Sequence, residues 1–440
     1  MSAPASRSYH AAPVTRVSGS LSVPGDKSIS HRALLLGAVA EGRTRITGFL
    51  ESEDCHATLS ALRALGVPME QPAANVVVVT GVGMHGMHAS ATPLDMGNAG
   101  TAMRLFMGLL CGQNFSSRLI GDGALMKRPM ERVARPLRLM GARIDTQADR
   151  PPVVLHGHAD LNAIDYTLPM ASAQVKSAIL LAALQARGRT RVTEPAPTRD
   201  HTERMLAAFG ATVSRRGATV ELTGGQPLRG VPIEVPGDFS SAAFFMVAGC
   251  LAAPEGLTLR RVGVNPTRTG LLAMLRLMGA QISVTPLEHP GAEPLADISV
   301  RASALHGATV PPELVPLAID DLPILFIAAA CATGETVVTG AAELRVKESD
   351  RLAVMAEGLT TLGVQCELLA DGIRIQGGGL GGGCVDSHGD HRVAMAFAMA
   401  SVCASGPIEI RDVANVATSF PGFADAARRV GLSLVEVDAP

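Results

Sequence analysis

Several predicted helices in this chain start with residues that could hold an anion. Lys27, Ser28 and Arg32 follow the turn PGD in PGDKSISHRALLLGAVAEGRTRI, Pro24 to Ile46. Gly97, Asn98, Gly100 and Thr101 open GNAGTAMRLFMGLLCG, and Lys127 and Arg128 precede Pro129. Ser172, Ala173, Gln174 and Lys176 open SAQVKSAILLAAL, and Arg199 stands before Asp200 in TRDHTERM. Later come Asp320 and Asp321 in IDDLP, the run Arg345, Lys347, Glu348, Asp350 and Arg351, and Asp390 to Arg392 in HGDHRVAMAF. A helix N-terminus has free N–H groups and the positive end of a dipole, so it favours an anion and disfavours a cation. Cations gathered there make sense when a small, multiply anionic ligand sits among them. Buried without counter-anions they would cost several kcal/mol each, on the order of a desolvated ion. Asp320 and Glu348 beside a lysine suit acid–base chemistry that needs neither metal nor nucleotide. At Asp200 and Glu203 a capping box is expected, which leaves Arg199 the freer group.

These starts belong to a repeat. A polar start, an apolar helix, a turn and a short strand recur from Lys27, Asn98, Ser172, Asp238, Asp320 and Asp390. A second helix recurs with an ending of bulky residue, glycine, apolar residue. Its glycines are Gly66, Gly141, Gly210, Gly279, Gly363 and Gly431, spaced 75, 69, 69, 84 and 68 residues apart. The pattern predicts six copies of one helix–strand–helix–strand module, three in each of two domains.

Composition narrows the function. With 47% hydrophobic residues, 18% charged and a formal net charge of −2, the chain is globular, and nothing in its bulk electrostatics favours nucleic acid or a membrane. Aromatics are 3%, too few for base-stacking platforms. Seven cysteines, the closest eighteen apart at Cys366 and Cys384, deny a CxxC metal site and suggest reduced, mostly buried thiols in a cytosol. The pairs His85/His88, His156/His158 and His388/His391 fit no metal cage. GVGMHG, Gly81 to Gly86, matches a dinucleotide fingerprint in text but lacks the following helix and acid, so a hairpin turn is expected. Residues 1–16 are expected to be a frayed tail rather than a transit peptide.

The motifs PGDKSISHR, NAGTAMR, KRPMERV, SAQVKSA, RDHTE, NPTR, RVKESDRL and DHRVAM, in this order and spacing, resemble the EPSP synthase family of enolpyruvyl transferases. The resemblance runs from about residue 20 to the C-terminus. It implies a two-domain inside-out α/β barrel of six βαβαββ repeats. One discontinuous domain would hold residues 1–24 and 238–440, the inserted one 25–237, with the active site in the cleft between them. The implied reaction moves the enolpyruvyl group of phosphoenolpyruvate to the 5-hydroxyl of shikimate 3-phosphate. Carried over by motif, Lys27, Ser28, Arg32, Ser172, Ala173, Gln174, Arg199, Asp320 and Lys347 would hold shikimate 3-phosphate. Lys27, Gly100, Arg128, Gln174, Arg351 and Arg392 would hold phosphoenolpyruvate, and Lys27, Asp320 and Glu348 would be catalytic. No cofactor, metal, nucleic acid or membrane is implied, and a cytoplasmic monomer is expected. Thr418 stands where some members carry lysine, and Ala173 where others carry serine. Glyphosate is expected to compete with phosphoenolpyruvate, with room for it beside Gly100. The alternatives are the sister transferase acting on UDP-N-acetylglucosamine, against which GDGALMKRP lacks a cysteine, and a non-catalytic anion-binding protein of the same fold.

Overall fold

The computed structural model describes residues 7–157, 160–289 and 291–438. The chain divides into two compact units. Unit 1 comprises Met1–Pro24, Pro236–His289 and Pro294–Pro440, and unit 2 comprises Gly25–Val235 with Pro290–Glu293.

In unit 2 the first helices of the three repeats are α1 (Lys27–Val39), α3 (Gly100–Leu110) and α5 (Ala173–Ala183). The second helices are α2 (Glu53–Ala64), α4 (Glu131–Leu139) and α6 (His201–Ala208). Unit 1 repeats the plan with α7 (Phe239–Ala252), α8 (Gly270–Leu277), a short α9 (Val315–Ala318), α10 (Leu322–Cys331), α11 (Arg351–Thr361), α12 (His391–Ala400) and α13 (Phe423–Arg429). α10 reads LPILFIAAAC, and nine of its ten residues are buried. A helix apolar on every face is stable only when enclosed on every face. Each large side chain so enclosed, Ile324, Leu325, Phe326 and Ile327 among them, contributes about 1.5–3 kcal/mol. α7, α10 and α12 pack on one another, and α3 packs on α1 and α5. No helix among the described residues is long and apolar enough to cross a membrane.

Small sheets enclose these helices. In the second repeat Leu94–Asp95 runs parallel to Ser117–Ile120, which pairs antiparallel with Arg150–His156, and that strand pairs antiparallel with Arg143–Gln147. Chain order is therefore βαβαββ, as expected for the family, and the third repeat copies it. The first repeat borrows its parallel strand, Ile233–Glu234, from the far end of unit 2. Gly19–Ser22 serves the fourth repeat in the same way, parallel to Leu257–Gly263. In the fifth, single bridges at His306 and Thr309 stand in for that strand.

All six second helices end alike. Gly66, Gly141, Gly210, Gly279, Gly363 and Gly431 have φ between 85° and 105°, a left-handed conformation that L side chains avoid. The next residue's N–H returns to the helix, as Val67 N does to Leu62 O at 3.0 Å. This closure sets both the helix end and the repeat spacing.

Three expectations are corrected. Arg7–Ala12 is a strand between Ile408–Arg411 and Ser433–Asp438, not a frayed tail, because Ser8, Tyr9 and Ala11 are buried in the sixth repeat. Residues 1–6 lie outside the described residues. The turn at Gly83 leads to a strand of a different sheet, so GVGMHG is not a hairpin. Cys331 and Cys403 form a disulfide, so not every thiol is reduced. They are 72 residues apart, about one repeat, and packing α10 beside α12 brings equivalent ends together.

α3 approaches α5 closely at Gly108. A Cβ there would stand 2.2 Å from Ala178 O and 2.7 Å from Ala178 Cα, both backbone atoms of α5. Gly108→Ala is expected to destabilise unit 2 by about 3 kcal/mol, near the upper end of overpacking costs. A lowered urea midpoint at constant m-value would show it, and an unchanged midpoint would refute it.

Candidate active site

In unit 2 the residues flagged by sequence sit at the N-terminal ends of α1, α3 and α5 and just before α6. Asp26 caps α1 by accepting from Ile29 N at 2.9 Å. This leaves Lys27, the first helical residue, to pair with Asp54 Oδ2 at 3.0 Å. Arg32, one turn on, is 3% exposed. Its guanidinium donates to Thr202 Oγ1 at 2.7 Å, to Ser177 Oγ at 2.9 Å and to the carbonyl of Ser28 at 2.9 Å. Burial first of all lowers its pKa, to about 10, and the charges of Glu203 and Asp26 resist the fall. A cation held mainly by neutral oxygens in a buried place retains attraction for an added anion.

Ser172 caps α5, accepting from Val175 N, and Ala173 and Gln174 follow. Gln174 Oε1 accepts from Arg104 Nη1 at 2.5 Å, and its Nε2 donates to Thr101 Oγ1 at 2.9 Å. The amide thus ties α5 to α3. Arg128 follows a 3-10 turn, and its Nη2 donates to Asn98 Oδ1 at 2.5 Å. Gly100 opens α3 without a side-chain cap. A Cβ on Gly100 would lie 2.8 Å from Arg128 Nη1 and 3.3 Å from Arg104 Nη1. The bare glycine is what lets both guanidinium groups approach the helix start. Arg199 is half-buried, immediately ahead of α6.

In unit 1, Asp320, Lys347, Glu348, Arg351 and Arg392 form one connected cluster. Arg351, the first residue of α11, is 1% exposed. Its Nε and Nη2 grip Asp390 at 2.7 and 3.2 Å, Nη2 also meets Glu348 Oε2 at 2.6 Å, and Nη1 meets Asp320 Oδ1 at 3.4 Å. Burial opposes this charge, but Asp390, Glu348 and Asp320 outweigh it and raise the pKa of Arg351 above the ordinary arginine value. Lys347 Nζ lies 3.4 Å from Asp320 Oδ1 and 3.0 Å from Glu343 Oε1. Arg392 donates to the carbonyl of Asp320 at 3.0 Å and to Asp321 Oδ1 at 3.3 Å. Burial raises the pKa of Asp321, against the pull of Arg392 and Arg268. Arg351 thus has the counter-anions that a buried cation needs, supplied by the protein's own carboxylates.

Unit 2 gathers cations at its helix starts, and unit 1 sets carboxylates and cations together. A family model described as EPSP synthase (3-phosphoshikimate 1-carboxyvinyltransferase) matches residues 11–426. The chain belongs to the EPSP synthase family. A 3-phosphoshikimate 1-carboxyvinyltransferase from Alkalilimnicola ehrlichii is 58% identical over 98% of this chain and 97% of its own length. One from Halorhodospira halophila is 58% identical over 98% of each. The solved EPSP synthase of Acinetobacter baumannii superposes with a TM-score of 0.89 at 52% identity, covering 98% of this chain and 100% of that one. The sister transferase acting on UDP-N-acetylglucosamine is not favoured by these relatives.

Within this EPSP synthase family chain, sequence reasoning missed several partners. Asp54, Arg104 and Asp390 had no signal beyond their helix starts, since each acts on a residue at least 27 positions away. Asp200 and Glu203 do not form the expected capping box. Asp200 gives no side-chain cap and pairs with Arg204 at 2.8 Å, while Glu203 turns to Lys176 at 2.7 Å. Arg268 of NPTR is absorbed structurally, donating to Ser240 Oγ at 2.6 Å beside the cap Asp238. Arg345 and Asp350 of the charged run pair with each other at 2.8 Å, and Asp350 caps α11. Thr418 gives its hydroxyl to the carbonyl of Asn415. His158 lies outside the described residues.

His31 lies between Lys27 and Arg32, wholly buried, with Nδ1 2.8 Å from Thr58 Oγ1. Burial, then the charges of Lys27 and Arg32, lower its pKa from 6.5 to about 3. The folded state therefore refuses a proton that the unfolded chain takes up below about pH 6.5. Above that range the imidazole is neutral in both states and stability is complete; as pH falls from 6.5 toward 3 stability is lost at roughly 1.4 kcal/mol per unit. His31→Asn is expected to flatten this part of the profile. Denaturant melts of both proteins at pH 4.5 and 7.5 check it, and parallel pH slopes would disprove the assignment.

Proposed function

We propose that cations at the helix starts of unit 2, with Lys347, Arg351 and Arg392 of unit 1, hold the two anionic substrates while the carboxylates Asp320 and Glu348 carry out proton transfer. The chain is an enzyme that transfers the enolpyruvyl group of phosphoenolpyruvate to the 5-hydroxyl of shikimate 3-phosphate, releasing phosphate. Ser28, Arg32, Ser172, Ala173, Gln174, Arg199 and Lys347 hold shikimate 3-phosphate, with Asp320 on its 5-hydroxyl. Gly100, Arg128, Arg351 and Arg392 hold phosphoenolpyruvate, with Gln174 beside both. Lys27 is a cation common to the two.

The observation that carries this division is the cluster around Arg351, where Glu348 and Asp320 are held on one guanidinium beside Lys347 and Arg392. Addition requires a proton on the enol methylene, C3 of phosphoenolpyruvate, which leaves C2 electron-poor. The 5-hydroxyl oxygen bonds to C2 as its own proton passes to a base. In the tetrahedral adduct C3 is a methyl group; loss of one methyl proton and of phosphate from C2 restores the double bond. Glu348 supplies and recovers the proton at C3, and Asp320, assisted by Lys27, takes the hydroxyl proton. Cations around both substrates prealign them, which offsets the entropy of bringing two anions together.

Incubation with phosphoenolpyruvate and either shikimate 3-phosphate or UDP-N-acetylglucosamine, followed by phosphate release, tests the reaction. Turnover with the first acceptor alone is expected, and turnover with neither would favour a binding protein. Glu348→Gln should lower kcat by roughly 10²–10⁴-fold with substrate affinities nearly intact. A kcat within twofold of the parent would remove Glu348 from the mechanism.

Gly100→Ala gives a second test. The atom its Cβ meets at 2.8 Å is the tip of a flexible arginine, so the fold survives while Arg128 is displaced. The KM for phosphoenolpyruvate is expected to rise severalfold, and the inhibition constant of glyphosate to rise further. Equal inhibition constants for the two proteins would contradict this placement of Arg128.

A further inference from the structure

Lys176 has no place in the reaction, yet it is the most completely enclosed cation described in unit 2, with 0% exposure. Its Nζ lies 3.0 Å from Glu194 Oε2 and 2.7 Å from Glu203 Oε1. Glu194 follows the strand Arg189–Thr193, and it also accepts from Thr198 Oγ1 and meets Arg215 at 3.5 Å. Glu203, in the first turn of α6, depends on Lys176: the contact is a close charge pair, and among the described residues neither oxygen has a hydrogen-bond donor.

An ammonium in the first turn of α5 opposes the helix dipole and must be stripped of water. An apolar side chain would fill the space without either cost, so packing alone does not explain a lysine there. Its neighbours do. Ser177 follows Lys176 on α5, and Thr202 precedes Glu203 on α6, so the two helices are joined by two adjacent rungs. One rung is Lys176 to Glu203, and the other is Thr202 Oγ1 to Ser177 Oγ at 2.7 Å. Arg32 binds both hydroxyls of the second rung, and Glu203 is the foremost charge supporting its ionisation. Arg199 lies four residues before Glu203, and Ser172 four before Lys176.

We propose that Lys176 is a positioning residue: pinned between Glu194 and Glu203, it sets the register between the starts of α5 and α6 and so holds Thr202 and Ser177 where Arg32 can grip shikimate 3-phosphate. The proposal rests on the reading of Arg32 as a ligand of that substrate.

The test is steady-state kinetics of Lys176→Met, Glu203→Gln, the double variant Lys176→Met/Glu203→Gln and Arg32→Lys, each with a melting curve. Glu203→Gln leaves Lys176 paired with Glu194, so the fold is kept. Both single variants at the Lys176 and Glu203 positions are expected to raise the KM for shikimate 3-phosphate about tenfold, with the KM for phosphoenolpyruvate within twofold. The double variant removes the stranded carboxylate, so its melting temperature should recover relative to Lys176→Met while the raised KM persists. A KM that recovers along with stability would overturn the proposal, leaving Lys176 a purely structural charge. A shikimate 3-phosphate KM within twofold of the parent in Lys176→Met and Glu203→Gln, with Arg32→Lys raised, would also overturn it. If Arg32→Lys itself leaves that KM unchanged, the underlying reading of this face fails instead.

Discussion

A helix buried on every face can present only its ends to anything else. α3, α7, α10 and α12 show the condition at its limit, with all but one residue of each enclosed, and α1 and α5 approach it. Polar and charged residues are tolerated there near the first turn, where the backbone itself has unsatisfied groups, and those just beyond it, Arg32, Arg104 and Ser177, are hydrogen-bonded. The same condition explains why the caps Asp26, Ser172, Asp238 and Asp390 are themselves largely buried. It also explains why polar residues gather at the starts of the enclosed helices, to which the second helices add Arg128, Arg199 and Arg351 at or just before their own starts. A repeat that encloses one helix per copy thereby generates one polar helix start per copy.

What each copy does with its start depends on the neutralising partner. Arg32 and Arg351 are both buried arginines close to a helix start, yet their surroundings drive them in opposite directions. Arg32 meets two hydroxyls and a carbonyl, and burial lowers its pKa to about 10. Arg351 meets three carboxylates, which raise its pKa despite deeper burial. The first is suited to a ligand anion. The second organises Glu348 and Asp320, and any substrate anion reaching it must share the guanidinium with them. Unit 2 therefore holds a cationic excess in Lys27, Arg32, Arg104 and Arg128, whereas unit 1 sets Asp320, Asp321, Glu348 and Asp390 against Lys347, Arg351 and Arg392.

Much of this was legible in the sequence because it is local. The six glycines announced the helix ends, since only a left-handed residue closes them, and periodic apolar runs announced the helices. The helix starts marked the residues expected to meet an anion. Pairings across the chain were not legible: Lys27 with Asp54, Gln174 with Arg104 and Arg351 with Asp390 join separate elements. Glu203 shows how a local rule misleads, because its position in the first turn of α6 reads as a capping box while a buried lysine 27 residues earlier claims the carboxylate. The strand Arg7–Ala12 and the Cys331–Cys403 disulfide were hidden for the same reason, their partners lying far away in sequence.

The fourth repeat shows how little separates a structural start from a functional one. PGDFS and PGDKS both place Asp at the cap, Asp238 accepting from Ser240 N and Ser241 N much as Asp26 accepts from Ile29 N. In the fourth repeat the residue after the cap is Phe239, buried at 1%, and a nearby cation, Arg268, turns inward on Asp238 and Ser240. That start neutralises itself and leaves nothing for a ligand. In the first repeat Lys27 occupies the equivalent place, remains partly exposed and is steadied by Asp54 from the neighbouring helix. Backbone and cap are common to both, so the difference lies in one side chain and the location of its counter-charge. Repetition supplied six equivalent starts; the side chain after the cap and the placement of its counter-charge set them apart.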